Sequence, residues 1–101
     1  MNLKKKRDLL SEKGNFEEIA AMGKLVKKGY DPIYNYAVSM CIESAIKNKD
    51  YERAFLFAYE HKDSGWTPEM VYDEMKEKYC LDGEVDIAYS EFKRKYLTQL
   101  K

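Results

Sequence analysis

The chain has 101 residues, of which 45% are hydrophobic and 36% charged, and its 18 Lys and Arg are balanced by 18 Asp and Glu. This length predicts one domain, residues 1–101, with a core of modest size. The zero net charge argues against a protein that coats nucleic acid. The sequence has no apolar run of about 18 residues that could span a membrane, and no apolar run follows the basic start as in a signal peptide, so we expect a cytoplasmic protein.

Helix caps and breakers divide the chain into six predicted helices and no strand. Their approximate spans are residues 3–13, 16–28, 32–47, 51–62, 68–81 and 85–100. Side chains that accept hydrogen bonds from a first helical turn precede four of them, namely Asn15, Asp31, Asp50 and Thr67. Glycines that end a helix are predicted at Gly14, Gly29 and Gly65. The short connections predict successive antiparallel hairpins.

The third predicted helix is apolar around most of its circumference. Its polar stripe consists of Asn35, Ser39, Glu43 and Lys47. A helix of this kind must be covered on several sides, so we expect it at the centre of the domain. The later helices have narrower apolar faces, whose predicted members are Tyr51, Ala54, Phe55, Phe57, Ala58, Val71, Tyr72, Met75, Tyr79, Ala88, Tyr89, Phe92, Tyr96 and Leu97.

Two sequence elements recur along the chain. One comprises GNFEEI (14–19), KDYERA (49–54) and GEVDIA (83–88), and the other comprises KGYDP (28–32) and SGWTP (64–68). Successive copies are 34 to 36 residues apart. Self-similarity at this period is typical of stacked helical hairpins. It predicts three repeats, residues 1–32, 33–68 and 69–101.

These elements resemble the helical hairpins of pentatricopeptide and tetratricopeptide repeat proteins. The segment DYERA (50–54) is similar to the turn element of both families, and AFLF (54–57) followed by GWTP (65–68) is similar to the pentatricopeptide Ala-x-x-Phe…Gly-x-x-Pro ending. Tyr36 and Tyr72 resemble the tyrosine that opens the first pentatricopeptide helix. The resemblance implies a short, right-handed superhelical all-α domain that presents a concave groove to a partner.

The chain departs from both families at functional positions. Pentatricopeptide proteins read RNA with small polar residues just after the opening tyrosine, where this chain has apolar Val38 and acidic Glu74. The tetratricopeptide Trp and Gly are replaced by Val38 and Ile42. The resemblance therefore implies the scaffold without the base-reading residues, and three repeats would read too few bases for useful selectivity.

No residue pattern predicts catalysis, a cofactor or a metal site. His61 is the only histidine, and Cys41 and Cys80 are 39 positions apart, which does not supply the paired ligands of structural zinc. Cys41 falls on an apolar helix face, where a reactive thiolate is disfavoured. We expect a non-enzymatic protein without cofactors, with two buried, reduced thiols, and leave a disulfide between them as the alternative.

Aromatic residues are more numerous than a core of this size needs. The candidate partner-binding residues are Tyr30, Tyr34, Tyr59, Trp66 and Tyr72. Exposed Tyr and Trp are typical of protein-binding hot spots, although core packing is the other interpretation. Residues 1–30 carry a net charge of +4 and residues 31–75 carry one of −5. This asymmetry suggests a polarised surface for electrostatic docking. An ordinary solvated surface with a chance asymmetry is the other interpretation.

The sequence favours a protein-binding module that acts as an accessory regulator or inhibitor. The ratio of 15 Lys to 3 Arg is typical of AT-rich genomes, such as those of phages and mobile elements. Unpaired end helices of a short repeat array leave homodimerisation open. The alternative is RNA or DNA binding by a basic first hairpin, whose candidate residues are Lys4, Lys5, Lys6, Arg7, Lys24, Lys27 and Lys28.

Overall fold

Six α-helices make up the described part of the chain, residues 2–97 of a computed structural model. They are α1 (Leu3–Glu12), α2 (Phe16–Met22), α3 (Pro32–Lys47), α4 (Tyr51–Glu60), α5 (Pro68–Glu77) and α6 (Gly83–Phe92). A 3₁₀ turn, Lys62–Ser64, follows α4, and α6 continues as a π-helical segment, Lys93–Leu97. No strand occurs in residues 2–97, which confirms the all-α prediction. The predicted end of the sixth helix at residue 100 lies outside the described residues.

Side-chain caps fix the starts of three helices. Asp31 accepts a hydrogen bond from the third residue of α3, and Thr67 accepts one from the third residue of α5. Pro32 and Pro68 occupy the first helical positions, where a missing N–H removes no helical hydrogen bond. Asn2 caps α1 in the same way. These starts are therefore set locally by two or three adjacent residues.

The predicted caps Asn15 and Asp50 stand at the starts of α2 and α4 but make no side-chain bond to the backbone. The amide of Asn15 instead donates to Glu18 Oε1 at 3.0 Å. At the start of α2, the expected bond from the backbone to the Asn15 side chain is thus replaced by a contact between two side chains.

The predicted length of α2 is wrong. The helix ends at Met22 rather than near residue 28, and Gly23, at φ 77°, follows it in place of Gly29. Residues 23–31 form a loop whose course is decided by a tertiary contact, described next.

The Asp31 carboxylate holds the N-terminal part of the fold together. It has no exposed surface, and Arg7 Nη1 donates to its Oδ2 at 2.6 Å. The backbone N–H groups of Leu25 and Val26 donate to the same oxygen at 2.9 and 3.2 Å, and the N–H of Tyr34 donates to Oδ1 at 3.3 Å. One side chain thereby joins α1, the loop and α3.

The charge of this buried group is stabilised by its donors. Burial by itself raises the pKa of Asp31, but Arg7 and the three backbone N–H groups outweigh it and hold the pKa at about 2. Arg7 is itself only 4% exposed. Either charge alone would be a buried, unpaired ion.

The core is centred on α4 rather than on α3. Helix α4 packs against α3, α5 and α6, whereas the main neighbours of α3 are α2 and α4. Tyr36 on α3 is 57% exposed, so the apolar circumference of that helix is not fully covered. The thinnest dimension of the molecule, 19 Å, equals about two helix diameters, which indicates two layers of helices.

Two predicted burials are wrong. Leu97, in the π-helical segment, is 37% exposed. Cys80 is exposed in the loop after α5, at φ 53°, while Cys41 is half-buried on α3. Both thiols are free.

No helix in residues 2–97 has the length and apolar character needed to cross a membrane.

Replacing Asp31 should cost far more stability than replacing another helix-preceding aspartate. We expect Asp31→Ala to lower the free energy of unfolding by about 3–5 kcal/mol, because it leaves Arg7 buried without a counter-ion. The matched control, Asp50→Ala, should cost less than about 1 kcal/mol, because Asp50 makes no capping bond. Urea unfolding followed by circular dichroism measures both values. Equal costs would contradict the central role of Asp31.

The contribution of Asp31 should also disappear in acid. Because its folded pKa of about 2 lies below the ordinary value of 3.8, the stabilisation is present above about pH 4 and is lost as the pH falls towards 2. The stability advantage of the native chain over Asp31→Asn should therefore shrink by about 2 kcal/mol over this range. Urea unfolding of both proteins at several pH values tests this, and a constant difference would contradict it.

Candidate partner-binding groove

A groove lies between α3 and α5, the two helices that flank α4. Its first part holds a volume of about 130 Å³ and is lined by Ser39, Ile42, Glu43, Ile46, Trp66, Glu74, Lys78 and Tyr79. Its second part continues along α5 past Trp66, holds about 230 Å³ and adds Met70, Asp73 and Glu77 to the lining. Trp66 lines both parts, so it stands at the centre of the groove.

The loop before α5 fixes the position of Trp66. Gly65 adopts φ 92°, which turns the chain out of the 3₁₀ turn, and the N–H of Trp66 donates to Ser64 Oγ at 3.3 Å. The indole Nε1–H donates to Ser39 Oγ at 2.8 Å, and Ser39 in turn donates to the carbonyl oxygen of Asn35 at 3.0 Å. The polar edge of the indole is therefore satisfied while the side chain as a whole stays half-buried.

The α5 side of the groove is acidic. Asp73 and Glu77 are exposed and Glu74 is half-buried, and among residues 2–97 none of the three forms an ion pair. On the α3 side, Glu43 pairs with Lys47 at 2.9 Å, and this hydrogen bond lowers the pKa of Glu43. The groove therefore has an acidic rim beside an aromatic ring.

Tyr34 cannot belong to a binding surface because it is a core residue. It is 1% exposed, its hydroxyl donates to Asp63 Oδ1 at 2.5 Å, and it lies 3.2 Å from His61 Nδ1. Burial, together with the Asp63 carboxylate, raises the pKa of Tyr34. Tyr34 thus attaches the 3₁₀ turn to α3.

The other predicted aromatic residues do not share one face with Trp66. Tyr59 and Tyr72 are half-buried against α6, where Tyr59 contacts Phe92 at a ring distance of 5.8 Å and Tyr72 stacks on Tyr89 at 4.5 Å. Tyr30 is 69% exposed in the loop after α2. Of the five candidates, only Trp66 lines the groove.

Sequence reasoning missed the α5 contribution to the groove. Asp73 and Glu74 lie three and four residues after Met70, and Glu77 lies four residues after Asp73, which places all four on one side of the helix. The fully buried Val71 and Met75 occupy the other side. This periodicity is readable in the sequence and could have indicated an acidic stripe next to Trp66.

Two of the seven predicted members of the basic face are not exposed. Arg7 is buried and paired with Asp31, so it cannot contact a phosphate. Lys24 is half-buried, and its Nζ donates to the carbonyl oxygen of Gly29 at 2.7 Å. The exposed cations that remain are Lys4, Lys5, Lys6, Lys27 and Lys28.

Cys41 and His61 lie in different surroundings. Cys41 lines a pocket beside Phe16, whereas His61 packs against Phe57 at a ring distance of 4.4 Å. Burial raises the pKa of Cys41 to about 11, so the thiol is protonated at neutral pH. Residues 2–97 contain no group of three His, Cys, Asp or Glu that could hold a metal ion.

Comparison of the chain with protein families, curated proteins and solved structures finds no match. Membership of a pentatricopeptide or tetratricopeptide family therefore stays a prediction from the sequence.

The Ser39 hydroxyl should contribute measurably to the placement of Trp66. We expect Ser39→Ala to lower the free energy of unfolding by about 1 kcal/mol relative to Ser44→Ala. Ser44 lies on the same helix but is exposed, so both variants share the gain in helix propensity and only one loses the indole bond. Trp66 is the only tryptophan, so its fluorescence in a urea titration measures both. Equal stabilities would show that the bond contributes little.

Proposed function

We propose that this protein is a non-enzymatic binding module that docks a segment of a partner protein in the groove between α3 and α5. The observation that carries the proposal is the half-buried side chain of Trp66, held at the centre of this groove. Tryptophan is among the residues that most often dominate binding energy at protein interfaces.

The placement of Trp66 suits binding because little further ordering is required. Its indole N–H is already bonded to Ser39, and its backbone is held by Ser64. Association costs less when a contact residue is ordered before the partner arrives.

The size of the groove favours a partner's side chains over a small molecule. Its two parts hold about 130 and 230 Å³. Neither part alone reaches the volume of about 300 Å³ at which pockets for drug-sized ligands begin, and the two parts do not form one enclosed cavity. An open, divided groove of this size fits one or two side chains of an extended surface.

We further propose that the three hairpins form a short right-handed superhelix. The recurring positions Phe16 and Tyr51 both open a helix, α2 and α4, and Val85 lies in the first turn of α6. Helices that are neighbours in sequence pack against each other along the chain. The role proposed for the module is that of a cytoplasmic accessory regulator or inhibitor, and its lysine-rich composition supports a phage or mobile-element origin.

Nucleic-acid binding is the second candidate function. It is favoured by Tyr30, which is 69% exposed in the same loop as the exposed Lys27 and Lys28. An aromatic ring beside cations can stack on a base of a single strand. The burial of Arg7 and the net charge of zero weigh against it.

An arginine placed in the groove should abolish partner capture. Met70 and Ile87 are both exposed helical residues, at 45% and 68%, but only Met70 lines the groove. We expect Met70→Arg to reduce the partner recovered from nuclease-treated host lysate at least about tenfold, because it obstructs the surface beside Trp66. Ile87→Arg should leave recovery unchanged. Quantitative mass spectrometry of tagged protein measures both.

Two results would contradict the protein-binding proposal. One is equal recovery with Met70→Arg and Ile87→Arg. The other is a bound fraction that disappears after nuclease treatment and in the triple variant Lys4→Glu/Lys5→Glu/Lys6→Glu, which would support nucleic-acid binding instead.

A further inference from the structure

We infer that the segment docked in this groove is cationic, carrying Lys or Arg residues beside a large apolar side chain. This inference rests on the proposed function and names the chemistry of the partner. It starts from the carboxylates of α5, which have no cationic partner among residues 2–97.

Two lysines lie close to these carboxylates, and neither forms an ion pair with them among residues 2–97, although Lys78 itself lines both parts of the groove. Lys76, on α5 itself, is 3.1 Å from both Asp82 and Asp86 at the start of α6. Lys78 lies over the ring of Tyr79, with its Nζ 5.7 Å from the ring centre. The carboxylates of Asp73 and Glu77 are therefore left to solvent or to a partner.

The spacing along α5 defines the complementary segment. Asp73 and Glu77 are four residues apart, which corresponds to about 6 Å along the helix axis. Met70 lies one turn before Asp73 and lines the groove with Trp66. A matching segment places a large apolar side chain against Trp66 and Met70 and its basic residues about one helical turn further along.

Charge in this groove acts on selectivity more than on affinity. A single exposed ion pair contributes at most about 1 kcal/mol. An acidic segment, however, would place its own carboxylates against Asp73, Glu74 and Glu77, and like charges across an interface exclude wrong partners. The unpaired carboxylates Asp73, Glu74 and Glu77 also attract a cationic segment over distance, an effect that salt weakens.

The test uses a displayed library of random peptides long enough for about three helical turns. The tagged full chain serves as bait, and Met70→Arg serves as the counter-selection. We expect the enriched peptides to carry net positive charge together with a large apolar residue. Their affinity for the native chain should fall with rising salt.

A pair of charge variants then locates the contact. Asp73→Lys/Glu77→Lys should weaken a selected peptide about tenfold or more. Asp8→Lys/Glu12→Lys makes the same change in net charge at the same spacing on α1, away from the groove, and should weaken it by less than about threefold. If the fold of the lysine variant is disturbed, Asp73→Asn/Glu77→Gln replaces it in the experiment. This variant only removes charge, so we expect an intermediate loss of affinity.

The outcomes separate this inference from the function on which it rests. Peptides that require Met70 but are neutral or acidic would overturn the cationic partner and leave the binding module standing. The absence of any peptide that Met70→Arg releases would overturn both. Self-association of the native chain that Asp73→Lys/Glu77→Lys abolishes would support the inference, with the basic first hairpin of a second copy as the cationic segment.

Discussion

The buried ion pair between Asp31 and Arg7 is the constraint on which the N-terminal half of this fold depends. A buried ion pair adds little stability over a well-packed apolar pair. It allows few alternative arrangements, however, because an arrangement that separates the two charges leaves a buried ion without a counter-ion. Here the same carboxylate also binds three backbone N–H groups. These bonds stop α2 from extending, fix the loop before α3 and hold α1 against it. The position of the first hairpin is therefore decided by one side chain.

The two loops before α3 and α5 show how a repeated sequence serves two purposes. In both, a left-handed glycine, Gly29 at φ 88° and Gly65 at φ 92°, is followed by an aromatic residue and a capping residue. In the first loop the capping aspartate is buried and the aromatic Tyr30 is exposed. In the second, the aromatic Trp66 turns into a groove and its cap is exposed. The two loops share a backbone conformation. In the first loop the capping side chain is part of the buried structure, and in the second the aromatic side chain lines the groove.

The sequence predicted what depends on neighbouring residues and failed where distant residues decide. The starts of α3 and α5 were predictable because a cap and a proline stand side by side. The choice between Gly23 and Gly29 as the end of α2 was not, since it follows from a contact between residues 24 positions apart. Likewise, no local pattern distinguishes the exposed Tyr30 from the buried Tyr34. The hydroxyl of Tyr34 is bonded to Asp63, 29 positions away. For the site, Trp66 is the one predicted partner-binding residue that lines the groove, whereas the acidic stripe of α5 was readable and was missed.

The groove itself is a consequence of how the core is packed. Helices α3 and α5 both pack on α4, which contributes Ala54 and Ala58 to the core with no exposed surface. Small side chains let neighbouring helices approach α4 closely, and two helices seated on a third leave a channel between them. The ring in that channel belongs to Trp66. Its indole N–H donates to Ser39 on α3, and its backbone N–H donates to Ser64 in the preceding turn. The packing on α4 uses buried residues, whereas the acidic chemistry of the groove comes from exposed and half-buried residues of α5. Because these two sets do not overlap, the charge of this surface can change by substitution on α5 without repacking the core.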